Sequence, residues 1–420
     1  MKILFVHPNM PGQYRNLCRF AAQDKNNTVV FLTKKTEVEI PGVHKLEYVL
    51  PRSAMPSTHR YIIGAEKAVI QGQECWRVCK KLRDDEGFTP DVIVGHPGWG
   101  DCLYLKDVWP DTPLLSYFEF YYHSTGVDVC FEEATTEDDK ARVRTKNITN
   151  LLNLEACDWG ISPTHWQKSV HPKEFQHKIS VLHDGIDVNA AKPNPNVTAT
   201  LPTGHKVKKG DEIVTYIARN MEPYRGFPTF MQAAERILKE RPNAHIIAVG
   251  AKGVSYGKNL PKGTTYYDIW RKKVDLDDSR IHFTGMLNYQ SLLQVLQLSS
   301  AHIYLSYPFV LSWSALEAMA CGCLMIGSAT PPVQEVIEHE KTGLLVDFFS
   351  PDELAKTVCY ALDNQEKLQS IRDAARQSVV EKYALEKLLP LHMELIGDVA
   401  NKQFPPSVSS KIDALYREAA

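Results

Sequence analysis

The residues with the clearest chemical potential lie in one segment, 304–327. A strand-like run ends there near Pro308, and the pattern then predicts a helix that begins after Ser312. The free amides and the positive dipole end of a helix N-terminus favour an anion such as a diphosphate. Ser314 adds a second hydroxyl, and the Glu317 carboxylate can accept hydrogen bonds from both hydroxyls of a ribose. N-capping by Ser312 and an ordinary exposed helix carboxylate at Glu317 explain the same residues, so both interpretations stay open.

A second candidate is the loop 219–226, which follows a predicted strand and contains two arginines. The forked guanidinium groups of Arg219 and Arg225 can hold phosphate oxygens. In a transferase they would neutralise the charge that builds on a departing nucleoside diphosphate. Ordinary surface arginines in a solvated loop explain the pattern equally well, so the loop alone does not decide.

The amino-terminal half carries weaker candidates. Gly12, in the loop 7–13, would let a ligand approach the backbone closely, although a plain turn explains it as well. His96 and Glu119 lie near the ends of two further predicted strands, among aromatic residues that suit a sugar ring but are more often core. The helix predicted to run from Thr135 or Thr136 to about Ala156 adds Arg144, Lys146 and Asn147.

Several nucleotide and catalytic motifs are absent from the sequence. No GxGxxG follows the first strand and no GxxxxGK[ST] occurs, which argues against a nicotinamide enzyme and a P-loop ATPase. No HExxH occurs either. One GxSxG string is present at 253–257, but a nucleophile elbow needs a helix directly after it and the residues that follow predict a loop. We therefore interpret that string as a chance match.

Composition narrows the class of protein. The chain has 420 residues, of which 44% are hydrophobic and 23% charged, as is typical of a soluble globular protein. The formal net charge of -2 argues against a large basic surface for duplex nucleic acid. Nine cysteines without metal-ligand spacing indicate the reduced thiols of a cytoplasmic protein. No signal peptide is predicted, and no segment approaches the ~20 apolar residues of a membrane span.

Short apolar runs alternate with helical patterns along both halves of the chain. This alternation predicts two parallel sheets covered by helices on both faces, with ligands beyond the carboxyl ends of the strands. The stretch 188–210 has the composition of a linker. We therefore predict an amino-terminal domain over 1–200, a carboxyl-terminal domain over 201–400, and a helix or tail over 401–420 that could pack back on the first domain.

Four segments together resemble one known family. The most specific is 314–323, which reads SALEAMACGC and precedes an apolar strand. The segments 334–337, 341–346 and 217–226 fit the neighbouring stretches of that family. The chain thus resembles, over nearly its whole length, the retaining glycosyltransferases of family 4, the glycosyl transferases group 1.

The resemblance implies the GT-B fold, an α/β architecture in which two Rossmann-like, doubly wound parallel-sheet domains face a central cleft. It implies transfer of a sugar, with retention, from a nucleoside-diphosphate sugar of the UDP or GDP type to a hydroxyl acceptor. That acceptor would be a glycan, a lipid-linked molecule or a small molecule, and the family generally needs no cofactor and no bound metal.

The same resemblance assigns roles to individual residues. Arg219 and Arg225 would bind the diphosphate, Glu317 the ribose, and the residues near 285–287 the base. Gly12 would face the diphosphate from the amino-terminal domain. The predicted catalytic residues are Arg219, Arg225, Glu317 and Glu119; the predicted donor-binding residues are Gly12, Gly285, Leu287, Ser312, Trp313, Ser314 and Leu316; the predicted acceptor-side residues are His96, Arg144 and Asn147.

Two positions depart from the family pattern. The family has Glu, seven residues, then Glu, and the first Glu falls at Phe309, whose side chain cannot accept a hydrogen bond. Its task would pass to Ser312, to Ser314, to backbone amides or to a residue of the other domain. Arg225 stands where lysine is usual, which keeps the charge but changes the geometry.

Three other functions remain compatible with the sequence. They are a sugar-nucleotide epimerase of similar fold, a non-catalytic sugar-nucleotide-binding protein, and a DNA-modifying glycosyltransferase of the phage type. Phe309 favours the second, and the near-neutral charge disfavours the third. The sequence names neither the sugar, the base, the acceptor nor the oligomeric state. No clear basic amphipathic helix is evident, so peripheral membrane association stays open.

Overall fold

The computed structural model describes residues 1–132 and 134–417. The chain folds into two compact units. The first unit combines Met1–Gly185 with the chain from Leu385 onward, and the second is Ile186–Ala384. None of the described helices has the length and hydropathy of a transmembrane segment.

The first unit contains a parallel sheet covered by helices. Its strands are β1 (Lys2–Val6), β2 (Thr28–Lys34), β3 (Val43–Tyr48), β4 (Val92–Gly95), β5 (Leu114–Tyr117), β6 (Trp159–Ser162) and β7 (Ile179–Val181). Its helices before residue 185 are α1 (Arg15–Gln23), α2 (Ile63–Glu86), α3 (Leu105–Val108), α4 (Glu137–Thr145), α5 (Ile148–Ala156), α6 (His165–Ser169) and α7 (Lys173–Gln176). The sheet order is β3-β2-β1-β4-β5-β6-β7.

Strand β1 shows why this sheet forms. Ile3 and Phe5 belong to one buried cluster, whereas Leu4 and Val6 belong to another. Successive side chains of a strand point to opposite faces, so an uninterrupted apolar run requires cover on both faces. Helices cover both faces of the sheet, so all four apolar side chains of β1 are buried.

The second unit repeats the architecture after a small antiparallel hairpin, β8 (Thr198–Thr200) with β9 (Lys206–Lys208). Its strands are β10 (Ile213–Asn220), β11 (His245–Ala251), β12 (Ile281–Gly285), β13 (Ala301–Tyr304), β14 (Met325–Ser328) and β15 (Leu344–Val346). Its helices are α8 (Phe227–Glu240), α9 (Tyr266–Arg271), α10 (Tyr289–Leu298), α11 (Trp313–Ala320), α12 (Pro331–Gln334), α13 (Pro351–Asp363) and α14 (Gln369–Lys382). These strands also run parallel, in the order β12-β11-β10-β13-β14-β15.

Each sheet has a topological switch point beside its first strand. In the first unit β1 lies between β2 and β4, and in the second unit β10 lies between β11 and β13. In doubly wound sheets the loops at the carboxyl ends of the two switch-point strands form the ligand crevice. The predicted doubly wound Rossmann-like fold of both domains is confirmed, and ligands are expected at the loops after β1, β4, β10 and β13.

The division into units differs from the boundaries predicted at 200 and 400. The second unit ends at Ala384, and the chain returns to the first unit through α15 (Leu385–Ala400) and α16 (Ser409–Arg417). The reason is burial, because Leu388, Leu395 and Val399 of α15 pack in the same cluster as Ile3 and Phe5. An apolar helix face joins whichever core it can bury against, and the sequence does not show which core that is. Residues 418–420 of the predicted tail lie outside the described residues.

Two local predictions also need correction. The helix predicted over 135–156 is two helices, α4 and α5, which are separated at Lys146 and Asn147. The side chain of Asn147 is 2% exposed and bonds the backbone of Tyr122, so it serves a loop instead of a helix face. The segment placed in a linker forms the β8–β9 hairpin.

Candidate functional site

The loop after β13 and the beginning of α11 form the first half of the candidate site in the second unit. Ser312 is the N-cap of α11, and its hydroxyl accepts a hydrogen bond from the Ser314 amide at 3.3 Å. The two hydroxyl oxygens lie 2.9 Å apart. Trp313, the first residue of the helix, is 37% exposed. Ser312 therefore does cap α11, and this role is compatible with a ligand-binding role for the hydroxyls of Ser312 and Ser314.

Two predicted donor-binding residues of α11 differ in what they can present to a ligand. The Leu316 side chain is fully buried, so only its backbone is available for contact with a donor. Glu317 is half-buried, and its carboxylate acts with burial to raise the pKa of Tyr289. Glu317 thus lies beside the first residue of α10, which places its carboxylate near the loop that precedes that helix.

That loop contains the two residues predicted near the base. Gly285 ends β12 with φ +69°, and a Cβ atom there would meet nothing within 4 Å. Leu287 is half-buried. Both residues therefore lie on an accessible loop at the carboxyl end of β12, and their contact with a base stays a prediction.

The two arginines at the end of β10 and in the turn after it have different surroundings. Arg219 is exposed at the end of the strand. Arg225 is 5% exposed, and its Nη1 donates to Ser306 Oγ at 2.7 Å and to the Val310 carbonyl at 3.1 Å. Arg225 thus also bonds the neighbouring loop, and the predicted contact of both arginines with a diphosphate stays a prediction.

Tyr304 connects the two halves of this site. Its hydroxyl lies 2.8 Å from the Ser312 amide, which donates to it, and 3.4 Å from Nη1 of Arg225. The basic loop after β10 and the N-cap of α11 are therefore brought together at the switch point of the sheet. Sequence reasoning assigned no role to Tyr304.

A buried glutamate that the sequence did not single out orders the rim of the site. Glu222 is fully buried, and its carboxylate accepts hydrogen bonds from the backbone amides of Ser255, Tyr256 and Gly257 at 2.9, 3.1 and 2.8 Å. This arrangement explains the GxSxG string as a loop that binds a carboxylate. The next helix begins only at Tyr266, in agreement with the predicted loop.

Phe309 occupies an aromatic cluster instead of a polar site. It is 6% exposed, and its ring centre lies 5.0 Å from Tyr256 and 5.4 Å from Tyr224. Tyr224 in turn stacks on Tyr307 at 4.5 Å. The position of the missing family glutamate is thus filled by apolar packing, and a compensating polar contact must come from other residues.

The first unit carries a second group of side chains, at its own switch point. His7 follows β1 and His96 follows β4, and their ring centres lie 5.4 Å apart because these strands are neighbours. Both side chains are 3% exposed. In each ring Nδ1 accepts a backbone hydrogen bond, from Asn9 at 3.0 Å and from Gly98 at 3.1 Å, so a neutral ring carries its proton on Nε2.

Glu119 and Trp99 complete this group. Glu119 Oε2 lies 3.7 Å from His96 Nε2, and Gln13 Nε2 donates to Glu119 Oε1 at 3.4 Å. The Trp99 ring centre lies 4.6 Å from that of His96, and the side chain is 39% exposed. His7 was missed as a candidate, although the placement of a histidine directly after a buried strand was a usable signal.

The structure explains the glycine at position 12 by its backbone conformation and its neighbour, without the predicted approach of a ligand. Its φ is +51°, and a Cβ atom there would lie 2.6 Å from Cε1 of His7. The glycine therefore accommodates a left-handed backbone and a buried imidazole. Its contact with a diphosphate stays a prediction, as does a role for the exposed Arg144.

Comparisons with known proteins agree with this geometry. Residues 25–191 match the family described as Glycosyl transferase family 4 group, and residues 199–378 match Glycosyl transferases group 1. A putative glycosyltransferase YtcC from Bacillus subtilis is 26% identical over 250 residues, which are 56% of this chain and 58% of YtcC. The match thus spans less than two thirds of that relative.

Two solved structures share the fold over 95% of this chain. Sucrose-phosphate synthase from Thermosynechococcus elongatus has a TM-score of 0.73 with 17% identity and is covered over 99% of its length. Anabaena HepE in complex with UDP and glucose has a TM-score of 0.66 with 14% identity and is covered over 100%. The two family matches together span most of the chain, and the predicted resemblance is confirmed. The chain belongs to the group 1 glycosyltransferases of family 4, with the GT-B fold.

Proposed function

We propose that this protein is a retaining glycosyltransferase that moves a hexosyl group from a nucleoside-diphosphate sugar to a hydroxyl acceptor without a bound metal. The observation that carries the proposal is the junction at Tyr304. There the basic loop after β10 meets the N-cap of α11, at the switch point of a Rossmann-like sheet. The positive N-terminal end of a helix and a nearby guanidinium are groups that bind a diphosphate.

The donor half of the site follows from this junction. The diphosphate lies at the beginning of α11, with Ser312, Ser314 and Arg219 as its side-chain partners. The Glu317 carboxylate accepts hydrogen bonds from the ribose hydroxyls, and the loop with Gly285 and Leu287 faces the base. UDP is the first nucleotide to test, since HepE has been solved with UDP and glucose.

The reaction needs no protein nucleophile. The acceptor oxygen forms the new bond to the anomeric carbon on the face from which the diphosphate leaves, and the bond from that carbon to the phosphate oxygen breaks. The acceptor proton goes to the departing diphosphate oxygen, so charge and atoms balance. The protein holds the reactants in place and stabilises the negative charge on the leaving group.

We place the acceptor-side residues in the first unit, at His96 and Glu119. The Nε2–H of His96 is a donor, and the Glu119 carboxylate is an acceptor 3.7 Å away. A hydroxyl group donates and accepts at once, so this pair suits a sugar or polyol hydroxyl. We propose a cytoplasmic location, supported by nine cysteines that are all free thiols.

The first experiment measures binding of UDP, GDP and ADP by thermal shift, followed by release of nucleotide from the matching sugar nucleotides. We expect a thermal shift with one nucleotide. Glu317→Gln is expected to weaken the affinity for that nucleotide about tenfold, since a carboxylate that accepts hydrogen bonds from hydroxyls contributes on the order of 1.5 kcal/mol. Glu366→Gln, at an exposed position in the same unit, is the matched control. Absence of any shift in a folded sample would overturn the donor site.

A non-catalytic sugar-nucleotide-binding protein is the second candidate, and the packing of Phe309 favours it. The family position that contacts the sugar is occupied here by a ring buried among tyrosines. Nucleotide binding that is never followed by sugar transfer or hydrolysis, across an acceptor panel, would support this candidate over the enzyme.

A further inference from the structure

The first unit contains a cavity of about 690 Å³ with an unusual charge distribution. Its volume falls within the range of small-molecule sites. Six cationic side chains line it, and none of its described lining residues is an aspartate or a glutamate: the cations are Lys34, Arg52, Arg60, Lys67, Arg142 and Lys146. A cavity lined by six cations and by no carboxylate favours an anionic occupant.

The three arginines are partly neutralised from outside the cavity. Arg52 pairs with Glu66 at 2.7 Å, and Asp139 lies 3.2 Å from Arg60 and 3.3 Å from Arg142. Asp138 adds a second partner to Arg60. The guanidinium groups therefore line the cavity, and nearby carboxylates neutralise part of their charge.

Among the described residues the three lysines have no carboxylate at ion-pair distance, although Asp101 interacts electrostatically with Lys34 and Asp128 with Lys146 from further away. Within residues 1–132 and 134–417, no carboxylate forms an ion pair with Lys34, Lys67 or Lys146. Lys146 Nζ lies 4.6 Å from the centre of the Tyr122 ring, which is a weak partner compared with a carboxylate. The three ammonium groups come from β2, α2 and the short segment between α4 and α5. Their charges thus converge on one space from three separate elements.

The cavity adjoins the histidine group at the carboxyl end of the sheet. Trp99 lines the cavity, and its ring centre lies 4.6 Å from that of His96 and 5.0 Å from that of His7. The loop that carries Trp99 packs tightly on α2, because a Cβ atom at Gly72 would lie 2.6 Å from the Gly100 carbonyl oxygen. The Trp99 indole therefore borders both the cavity and the His96–Glu119 pair.

We propose that this cavity binds the phosphate group of the acceptor, so that the acceptor is a phosphate monoester of a sugar or polyol. The phosphate lies among Lys34, Lys67 and Lys146, and a hydroxyl of the same molecule lies at His96 and Glu119. The inference rests on the proposed transferase function and names its acceptor class.

A phosphate monoester fits these lysines better than a carboxylate does. It carries a charge of roughly −1.5 to −2 at neutral pH and three acceptor oxygens, one for each ammonium group. Lysine binds phosphate as a point charge and does not need the planar fork that arginine offers. A carboxylate would satisfy two of the three cations and leave the third unpaired.

The test uses the full-length protein and two pairs of probes. Binding of glycerol 3-phosphate and glucose 6-phosphate is compared with that of glycerol and glucose by calorimetry. We expect measurable binding of the phosphorylated probes alone, weakened about tenfold by each of Lys34→Gln, Lys67→Gln and Lys146→Gln, as for loss of one charged hydrogen bond. Lys81→Gln, at an exposed position of the same helix α2, is the matched control and leaves binding unchanged.

A parallel arm separates the two sources of such a phosphate. Cosedimentation with vesicles of phosphatidylinositol 4-phosphate, compared with phosphatidylinositol, reports a lipid headgroup that carries a phosphate monoester and free hydroxyls, and the soluble probes report a free ester. Lysine-dependent binding in either arm supports the proposal. Equal binding of phosphorylated and unphosphorylated probes, or binding that the three lysine variants leave unchanged, overturns it. UDP binding in the same variants is scored separately, because its loss would contradict the donor site and not the acceptor cavity.

Discussion

A Cβ atom at residue 12 would lie 2.6 Å from Cε1 of His7, so the His7 ring can keep its position only if residue 12 has no side chain. Gly12 also has φ +51°, which disfavours any residue with a side chain. We expect Gly12→Ala to lower the free energy of unfolding by about 2–4 kcal/mol, since strain and overpacking add. Urea denaturation measures the effect.

Gly397→Ala is the control for that substitution. Gly397 lies within α15, and an added Cβ there would meet nothing within 4 Å. Alanine is favoured over glycine inside a helix, so this variant is expected to gain about 0.5–1 kcal/mol. Equal effects of the two substitutions would show that the contact with His7 does not limit residue 12.

The different surroundings of the two arginines predict different kinds of damage. Arg219→Ala should leave the free energy of unfolding within about 0.5 kcal/mol, because the side chain is exposed, while it lowers turnover at least about a hundredfold. Arg225→Ala should lower turnover and also cost about 2–4 kcal/mol of stability, because Ser306 and Val310 lose their buried donor. Rate measurements paired with urea denaturation separate the two cases. Near-normal turnover in Arg219→Ala would remove that residue from the diphosphate site.

The three amides that converge on Glu222 predict a stabilising role for this carboxylate. In Glu222→Gln one carboxylate oxygen is replaced by an NH₂ group that faces the amide donors of 255–257. We expect a loss of about 2–4 kcal/mol in the free energy of unfolding and faster hydrogen exchange at those three amides. Glu366→Gln should change neither quantity, and unchanged exchange at 255–257 in the Glu222 variant would contradict the assignment.

Because the His7 imidazole is buried, it makes the free energy of unfolding depend on pH. Desolvation, followed by repulsion from His96, lowers the pKa of His7 to about 3, below its ordinary value near 6.5. The unfolded chain therefore binds the proton more readily than the folded chain. The stability contributed by the neutral ring is complete above pH 6.5 and is lost as the pH falls toward 3.

His7→Gln is expected to flatten this dependence. The slope of the unfolding free energy between pH 6 and pH 4 should decrease by up to about 1.4 kcal/mol per pH unit, because one proton fewer is taken up on unfolding. Urea titrations at pH 7, 6, 5 and 4 measure the slope. His177→Gln, at an exposed position, is the reference, and an identical slope in both variants would place His7 outside the acid response.

Much of the fold could be predicted from local pattern. The apolar runs at Ile3–Val6, 92–95 and 213–218 marked strands that must be covered on both faces, and all three are central strands. Strand β3 escaped notice because its middle residues, His44 to Glu47, are polar or only partly buried at the sheet edge. An edge strand lacks the two-sided burial that makes a strand visible in sequence.

The candidate site was predicted in part. The segment around Ser312 and Glu317 was recognised because a capping residue, a helix and a following strand leave a local signature. Glu222 and Tyr304 were not recognised. Glu222 bonds Ser255, which lies 33 residues away, and Tyr304 bonds Ser312, which lies 8 residues away, so only the fold brings these groups together. A buried glutamate and a surface glutamate look alike in a sequence.

By itself the sequence determined the alternation of strands and helices, and with it the doubly wound sheets and the strand ends at which ligands are expected. These features depend on residues close together in the chain, where periodicity and capping act. Only the tertiary structure decided that Arg225 is buried while Arg219 is exposed, that His7 meets His96, and that α15 rejoins the first unit. Each of these outcomes depends on which distant surface a side chain meets, and the free energy of that contact is not encoded in local pattern.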